Sequence, residues 1–222
     1  MKPIVIAIDG PSGVGKSTLG KRLAERLGYL YIDSGAVYRA IGSAALDHGV
    51  PLEDDSAVAK IARTSKVQLH GDPWHLSVLI HGGDVTERIR RPDASRAASI
   101  VATYPEVRRE VVDKLRAMGQ RSGVVMDGRD IGTKVFPDAS VKLFLDADPR
   151  ARVLRRWEED RQRGREVPLE QIRTEIEERD RRDTERSATP LVKADAAILI
   201  DTSSLDIDEV ISRALEIINQ QR

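Results

Sequence analysis

Five short apolar runs punctuate the chain, at Ile4–Ile8, Tyr29–Ile32, Val124–Met126, Val141–Leu145 and Ala197–Ile200. Helical patterns separate them, and this alternation predicts a five-stranded parallel sheet flanked by helices, an α/β fold. One helix is expected from Lys16 to about Leu27, where Gly28 stops it. A second begins after Ser34, a third spans roughly Pro105 to Arg121, and the last runs from about Asp206 to Gln221.

Two stretches break the rhythm. Between about Pro51 and Ala102, Val67–His70 and Leu76–His81 flank Gly71-Asp-Pro-Trp74, which predicts an antiparallel hairpin. A hairpin cannot belong to the parallel core, so a small antiparallel β subdomain is expected to be inserted there. From Pro149 to Ser187 the chain is helical and intensely charged. Eleven arginines and eleven acidic residues lie between Arg152 and Arg186, with a break at Gly164–Pro168. Much of that alternation reads as a solvated helix surface with i,i+4 pairs. A helix–turn–helix rich in arginine is also what a lid closing over phosphates requires. The chain thus reads as one domain over 1–222, with a core (1–50, 103–150 and 188–222), an insert at about 51–102 and a helical lid at about 151–187.

Bulk properties narrow the class without naming a function. With 222 residues, 40% hydrophobic and 32% charged, the chain can bury a substantial interior. A formal net charge of zero gives no reason to expect a nucleic-acid or membrane surface. The absence of cysteine excludes disulfides and thiolate metal sites and fits a reducing cytosol. No leader pattern precedes the first strand, and no apolar run approaches the ~18 residues of a membrane span. A soluble, cytoplasmic protein is expected. Of 36 basic residues 27 are arginine, which suits bidentate phosphate recognition but is equally accounted for by codon bias.

The strongest motif follows the first strand. Gly10-Pro11-Ser12-Gly13-Val14-Gly15-Lys16-Ser17, then Thr18, is a phosphate-binding loop set between strand and helix. Its glycines let backbone N–H groups converge on phosphate oxygens. Lys16 adds a point charge near the β- and γ-phosphates, and the Ser17 hydroxyl can ligate Mg²⁺. The helix dipole points at the same anion.

Four further clusters carry chemistry. In Tyr31-Ile-Asp33-Ser34-Gly35-Ala-Val-Tyr38-Arg39, Ser34 reads as a helix N-cap, and Arg39 is either a ligand contact or a surface residue. Asp127-Gly128-Arg129-Asp130 ends a buried strand, at the edge where open α/β sheets bind ligands, so Asp127 is expected among the substrate-binding residues and can also serve as a Mg²⁺-side carboxylate. Ser99 to Arg108 straddles a helix break at Pro105. Arg179, Asp183 and Arg186 share one helix face. The histidines at 48, 70, 75 and 81 have no metal-ligand spacing.

GPSGVGKS, YIDSGAVYR, RAASIVATYPEVR, DGRDIGTKVFPDA and ERDRRDTER, in that order, together resemble the bacterial cytidylate (CMP/dCMP) kinases over essentially the whole chain. The resemblance implies a P-loop NTPase fold of the nucleoside monophosphate kinase type, with ATP as co-substrate, Mg²⁺ as cofactor, small nucleotides as partners and a monomeric state. It implies ATP contacts from Gly10 to Thr18, with Arg155 and Arg156 covering the nucleotide. It places Asp33, Ser34 and Arg39 on the CMP ribose and phosphate side and Ser99, Arg108 and Asp130 on cytosine. Arg129 joins the phosphate cluster, Arg179 and Arg186 clamp phosphates, and Asp183 contacts the sugar. A carboxylate such as Asp130 can accept from cytosine's amine and would repel the uracil carbonyl.

Rival readings remain on the residues alone. An adenylate- or shikimate-type kinase shares the fold. A GTPase switch needs an Asn-Lys-x-Asp motif, whereas the only asparagine here is Asn219. A non-catalytic nucleotide-binding module does not account for the intact Lys16-Ser17 pair and the arginine set.

Overall fold

A computed structural model describes residues 4–120 and 123–221. Five strands form one sheet: β1 (Val5–Asp9), β2 (Leu30–Asp33), β6 (Val124–Gly128), β7 (Val141–Asp146) and β8 (Ile198–Asp201). Their order is β2-β6-β1-β7-β8, and every pairing is parallel. Each predicted run forms its strand, with ends shifted by a residue or two. Side chains alternate between two cores: Ala7, Ile32, Val124 and Met126 face one, while Ile6, Ile8, Tyr31 and Val125 face the other. Burial on both faces explains why the strands read as unbroken apolar runs.

Helix α1 (Lys16–Leu27) ends at Gly28 in the left-handed conformation, and α8 (Ile207–Gln220) begins with a capping box of Asp206 and Glu209. These two helices cover one sheet face. The other face carries α2 (Ser34–Asp47), α3 (Asp55–Thr64), α4 (Pro92–Val101) and α5 (Pro105–Met118). α5 stops at Gly119; the end expected at Arg121 lies outside the described residues. Ser34 is not the cap of α2. The Asp33 carboxylate accepts the Ala36 N–H at 3.0 Å, and the Ser34 hydroxyl instead donates to the Asp127 carbonyl at 2.7 Å. Both residue types cap well, and the neighbouring strand end claims the serine.

The insert holds the expected hairpin, β3 (Val67–His70) with β4 (Ser77–Ile80), extended by a two-residue strand β5 (Gly83–Asp84). It also contains α3, which the apolar pattern did not single out. Two charged helices, α6 (Pro149–Gln162) and α7 (Leu169–Glu185), form the region expected as a lid. Among the described residues, no helix is long and apolar enough to cross a membrane.

Candidate active site

The strand order places a crevice at the carboxyl ends of β1 and β6, where successive connections leave the sheet in opposite directions. β1 ends in Asp9, whose buried carboxylate accepts the N–H groups of Ile131 and Gly132, both at 2.8 Å. That double contact pins the turn after β6 and fixes where Arg129 and Asp130 point. Burial raises the Asp9 carboxyl to about 6 against the two hydrogen bonds that lower it.

The phosphate loop follows β1. Gly10 has φ of +147°, and a Cβ there would lie 2.1 Å from the Leu145 carbonyl oxygen, so no other residue fits. Lys16 is buried, and its ammonium donates to the Pro11 carbonyl at 2.5 Å. Burial, then the Arg129 charge, push its pKa well below the usual lysine range. Ser17 donates to Asp127 Oδ2 at 2.9 Å, while Tyr31 donates to Asp127 Oδ1 at 2.7 Å. Burial, then the Asp33 charge, raise the Asp127 carboxyl to about 6.

Opposite the loop, arginines are tethered by carboxylates. Arg39 donates to Asp33 at 2.7 Å and Arg129 to Asp183 at 2.7 Å; Arg186 lies 3.4 Å from the other Asp183 oxygen. Burial opposes the Asp183 anion, but Arg129, Arg179 and Arg186 hold its carboxyl below the usual range. Arg179 is lowered to about 10, first by burial and then by Arg129. Arg186 is also lowered, by burial and Arg108, and its Nη2 is buried without a hydrogen-bond partner. Deeper in, Arg108 and Asp130 form a buried ion pair, with Arg108 also donating to Ala102 O at 3.0 Å.

Most of these groups line a cleft of about 430 Å³. It brings together Ser12 to Thr18, Asp33, Ser34, Arg39, Ser99, Arg108, Asp127, Arg129, Asp130, Arg155, Arg156, Arg179, Asp183 and Arg186. Gly10 and Pro11 lie behind the loop and do not line it. Arg155 reaches Thr202, donating to its Oγ1 at 2.9 Å.

Several further residues at or beside the cleft take no role from the sequence alone. Thr202, Leu205 and Ile207 join the cleft from the β8–α8 connection, and Tyr38 joins it beside Arg108 with its hydroxyl buried and unpartnered. Arg182 donates to Ser99 Oγ at 2.9 Å. Asp180 accepts from Ser12 N at 3.1 Å and from Arg152. Inside a run of eleven arginines and eleven acids, nothing local separates these side chains from solvated ones.

The same fold recurs in solved structures of low sequence identity. At 18% identity, a gluconokinase from Sinorhizobium meliloti superposes with a TM-score of 0.50 over 98% of this chain and 93% of its own. A protein from Eubacterium ventriosum reaches 0.54 at 16% identity, over 99% of each chain; both likenesses concern the fold alone. Sequence comparison is narrower. The cytidylate kinase of Geobacillus kaustophilus is 49% identical over 218 residues, covering 98% of this chain and 97% of its own. That of Bacillus velezensis is 47% identical over 220 residues, covering 99% and 98%. The family profile described as cytidylate kinase matches residues 6–220, from within β1 to the last residue of α8. With a match that runs through sheet, insert, lid and cleft alike, the chain belongs to the cytidylate kinase family.

Proposed function

We infer that the chain transfers the γ-phosphoryl group of ATP to CMP or dCMP, giving ADP and CDP or dCDP. One observation carries the reading for the site itself. Buried Lys16 and Arg186 and half-buried Arg179 line one cleft with Arg39 and Arg129, and desolvation and neighbouring cations lower the pKa of Lys16, Arg179 and Arg186. Phosphate groups bound between them would relieve that repulsion.

In this reading the loop N–H groups from Ser12 to Thr18 and the α1 dipole hold the donor phosphates, with Gly10 and Pro11 shaping the loop. Lys16 follows the transferred group. Arg155 and Arg156 cover ATP, and Leu205 and Ile207 offer its base an apolar wall. Arg39, Arg129, Arg179 and Arg186 hold the acceptor phosphate and balance the charge that develops on the equatorial oxygens. The acceptor is already an anion, so no general base is needed. Asp33, Ser34 and Asp183 serve the sugar side, and Ser99, Arg108 and Asp130 the cytosine. Arg108 occupies Asp130 Oδ2, so Oδ1 is the oxygen that would meet the base. Closure of the lid (about 151–187) and insert (about 51–102) over the core would exclude water as a competing acceptor.

Mg²⁺ fits the donor set. Ser17 Oγ and Asp127 Oδ2 are hard oxygens already side by side. No group of three His, Cys, Asp or Glu side chains gathers there among the described residues, so nucleotide phosphates would complete the shell, as Mg²⁺ prefers. When bound, the ion would neutralise charge on the donor phosphates. A cytoplasmic monomer acting on small nucleotides is the setting we propose.

The test is ADP formation with CMP, dCMP, UMP, AMP and shikimate as acceptors. CMP and dCMP should be preferred, and preference for any other acceptor would sink the reading. Lys16→Ala should lower turnover at least about a hundredfold, the usual cost of removing one electrostatic contact to a transition state.

A further inference from the structure

Helix α7 meets three parts of the cleft within four residues. Asp180 reaches the phosphate loop, Arg182 reaches Ser99 of α4, and Asp183 reaches Arg129 after β6. The first of these contacts is the most elaborate. Asp180 Oδ1 accepts the Ser12 N–H at 3.1 Å, and Oδ2 accepts from Arg152 Nη1 of α6. The same Nη1 donates to the Ser12 carbonyl at 3.2 Å. Both polar backbone groups of Ser12 are therefore held, one by each lid helix.

We infer that Asp180, held by Arg152, is a positioning residue for the phosphate-binding loop. Through it, α7 makes donor affinity depend on acceptor occupancy. The inference rests on the assignment of the two sides of the cleft given above. Three features carry it. Gly13, next in the loop, has φ of +78°, and its Cβ would meet the Arg152 Cβ and carbonyl oxygen, each at 3.0 Å, so the loop rests on α6 without slack. Arg152 is buried with its Nε unpartnered, a cost that a merely solvated lid arginine would not incur. Lastly, the orientation of the Ser12 and Gly13 peptides decides where the following N–H groups converge.

If α7 swings outward, Asp180 leaves Ser12 while Arg182 and Asp183 leave the acceptor side, because one rigid helix carries all three. An acceptor that draws α7 inward therefore seats the donor loop. By linkage the donor must favour the acceptor by the same factor.

Calorimetric titration of a non-hydrolysable ATP analogue, with and without saturating CMP, tests this directly. For the unaltered protein CMP should tighten analogue binding about three- to tenfold. Asp180→Ala should abolish that tightening and weaken the analogue about tenfold in the presence of CMP, while CMP alone binds within about twofold of normal. Arg152→Met should behave alike, and the double variant should be no worse than either single one, since both remove one contact. Asp180→Glu should recover part of the coupling. Asp180→Asn keeps an acceptor for Ser12 and should show a smaller loss, which tests the idea even if the alanine variant does not fold. No tightening in the unaltered protein, unchanged tightening in the variants, or a fall of Tm and both affinities in step would each overturn the inference. If CMP is not phosphorylated at all, the functional assignment fails separately, and analogue affinity alone still decides the role of Asp180.

Discussion

Asp127 is the residue at which burial and chemistry oppose each other most clearly. Its carboxyl is raised from an ordinary 3.8 to about 6, by burial first and the Asp33 charge second. A carboxyl raised in the folded state favours folding most below its unfolded pKa, and that contribution is lost as pH rises through about 6. At neutral pH the anion is therefore a liability unless a cation binds it. Mg·ATP should raise Tm more at about pH 7.5 than at about pH 5.5, because binding needs the ionised form. Asp127→Asn should flatten that difference. Asp9, also raised to about 6, spends both oxygens on backbone N–H groups and lies outside the cleft lining. A pH dependence that survives in Asp127→Asn would remove Asp127 from the Mg²⁺ side. Asp130 gives the matching test on the acceptor. Asp130→Asn keeps the shape but offers a donor beside the base. We expect kcat/KM for CMP to fall about ten- to a hundredfold and UMP to gain relative to it, with KM for ATP within about twofold of normal. Equal losses with both acceptors would count against base reading.

At the scale of the element, the N-terminus of α2 combines a cap with a ligand group. Asp33 accepts the Ala36 N–H and the Arg39 guanidinium, on different oxygens. Burial opposes the Asp33 charge, but Arg39 and its hydrogen bond hold the carboxyl below the usual range. Asn caps as well as Asp, whereas Ala does not. Melting should therefore place Asp33→Ala about 2–4 °C below Asp33→Asn, the shift expected of roughly 1 kcal/mol in a chain of this size. Both variants untether Arg39, and both should raise KM for CMP in steady-state assays. Identical melting temperatures would show that the cap contributes nothing. The same helix shows what the sequence could and could not reveal. The five strands were legible because each is buried on both faces, and α1 because its loop and Gly28 bracket it. The cap was misplaced by one residue because Asp33 and Ser34 are equally good local candidates, and only the carbonyl of Asp127, 93 positions away, distinguishes them. Arg152 and Asp180 were hidden for the same reason. Their partner Ser12 lies 140 and 168 positions away, a contact that no helical periodicity encodes.

Across the whole molecule, α3 of the insert packs on α2 and α5, and two further contacts with the core differ in kind. α4 packs on α2, where Gly42 leaves no room for a Cβ beside Ala97. At the hairpin tip, Trp74 lies beneath α1, 5.5 Å from Lys21 Nζ and 5.0 Å from the Arg22 guanidinium carbon. The first contact is interlocked and resists sliding. The second is exposed, each cation–ring contact there being worth about 0.5–1 kcal/mol. The only other tryptophan, Trp157, lies on α6 with the Arg161 guanidinium 4.8 Å from its ring. The insert and the region of α6 and α7 thus each carry one intrinsic fluorophore beside a cation. In Trp157→Phe, CMP alone should change the remaining Trp74 emission as the hairpin tip leaves α1. In Trp74→Phe, the ATP analogue alone should change Trp157 emission as the lid settles, and CMP should add to that change only if α7 transmits acceptor binding to the donor side. If Trp74 responds to the analogue as strongly as to CMP, insert and lid move as one body. The weak contact at α1 would then be a passive surface packing, not a hinge stop.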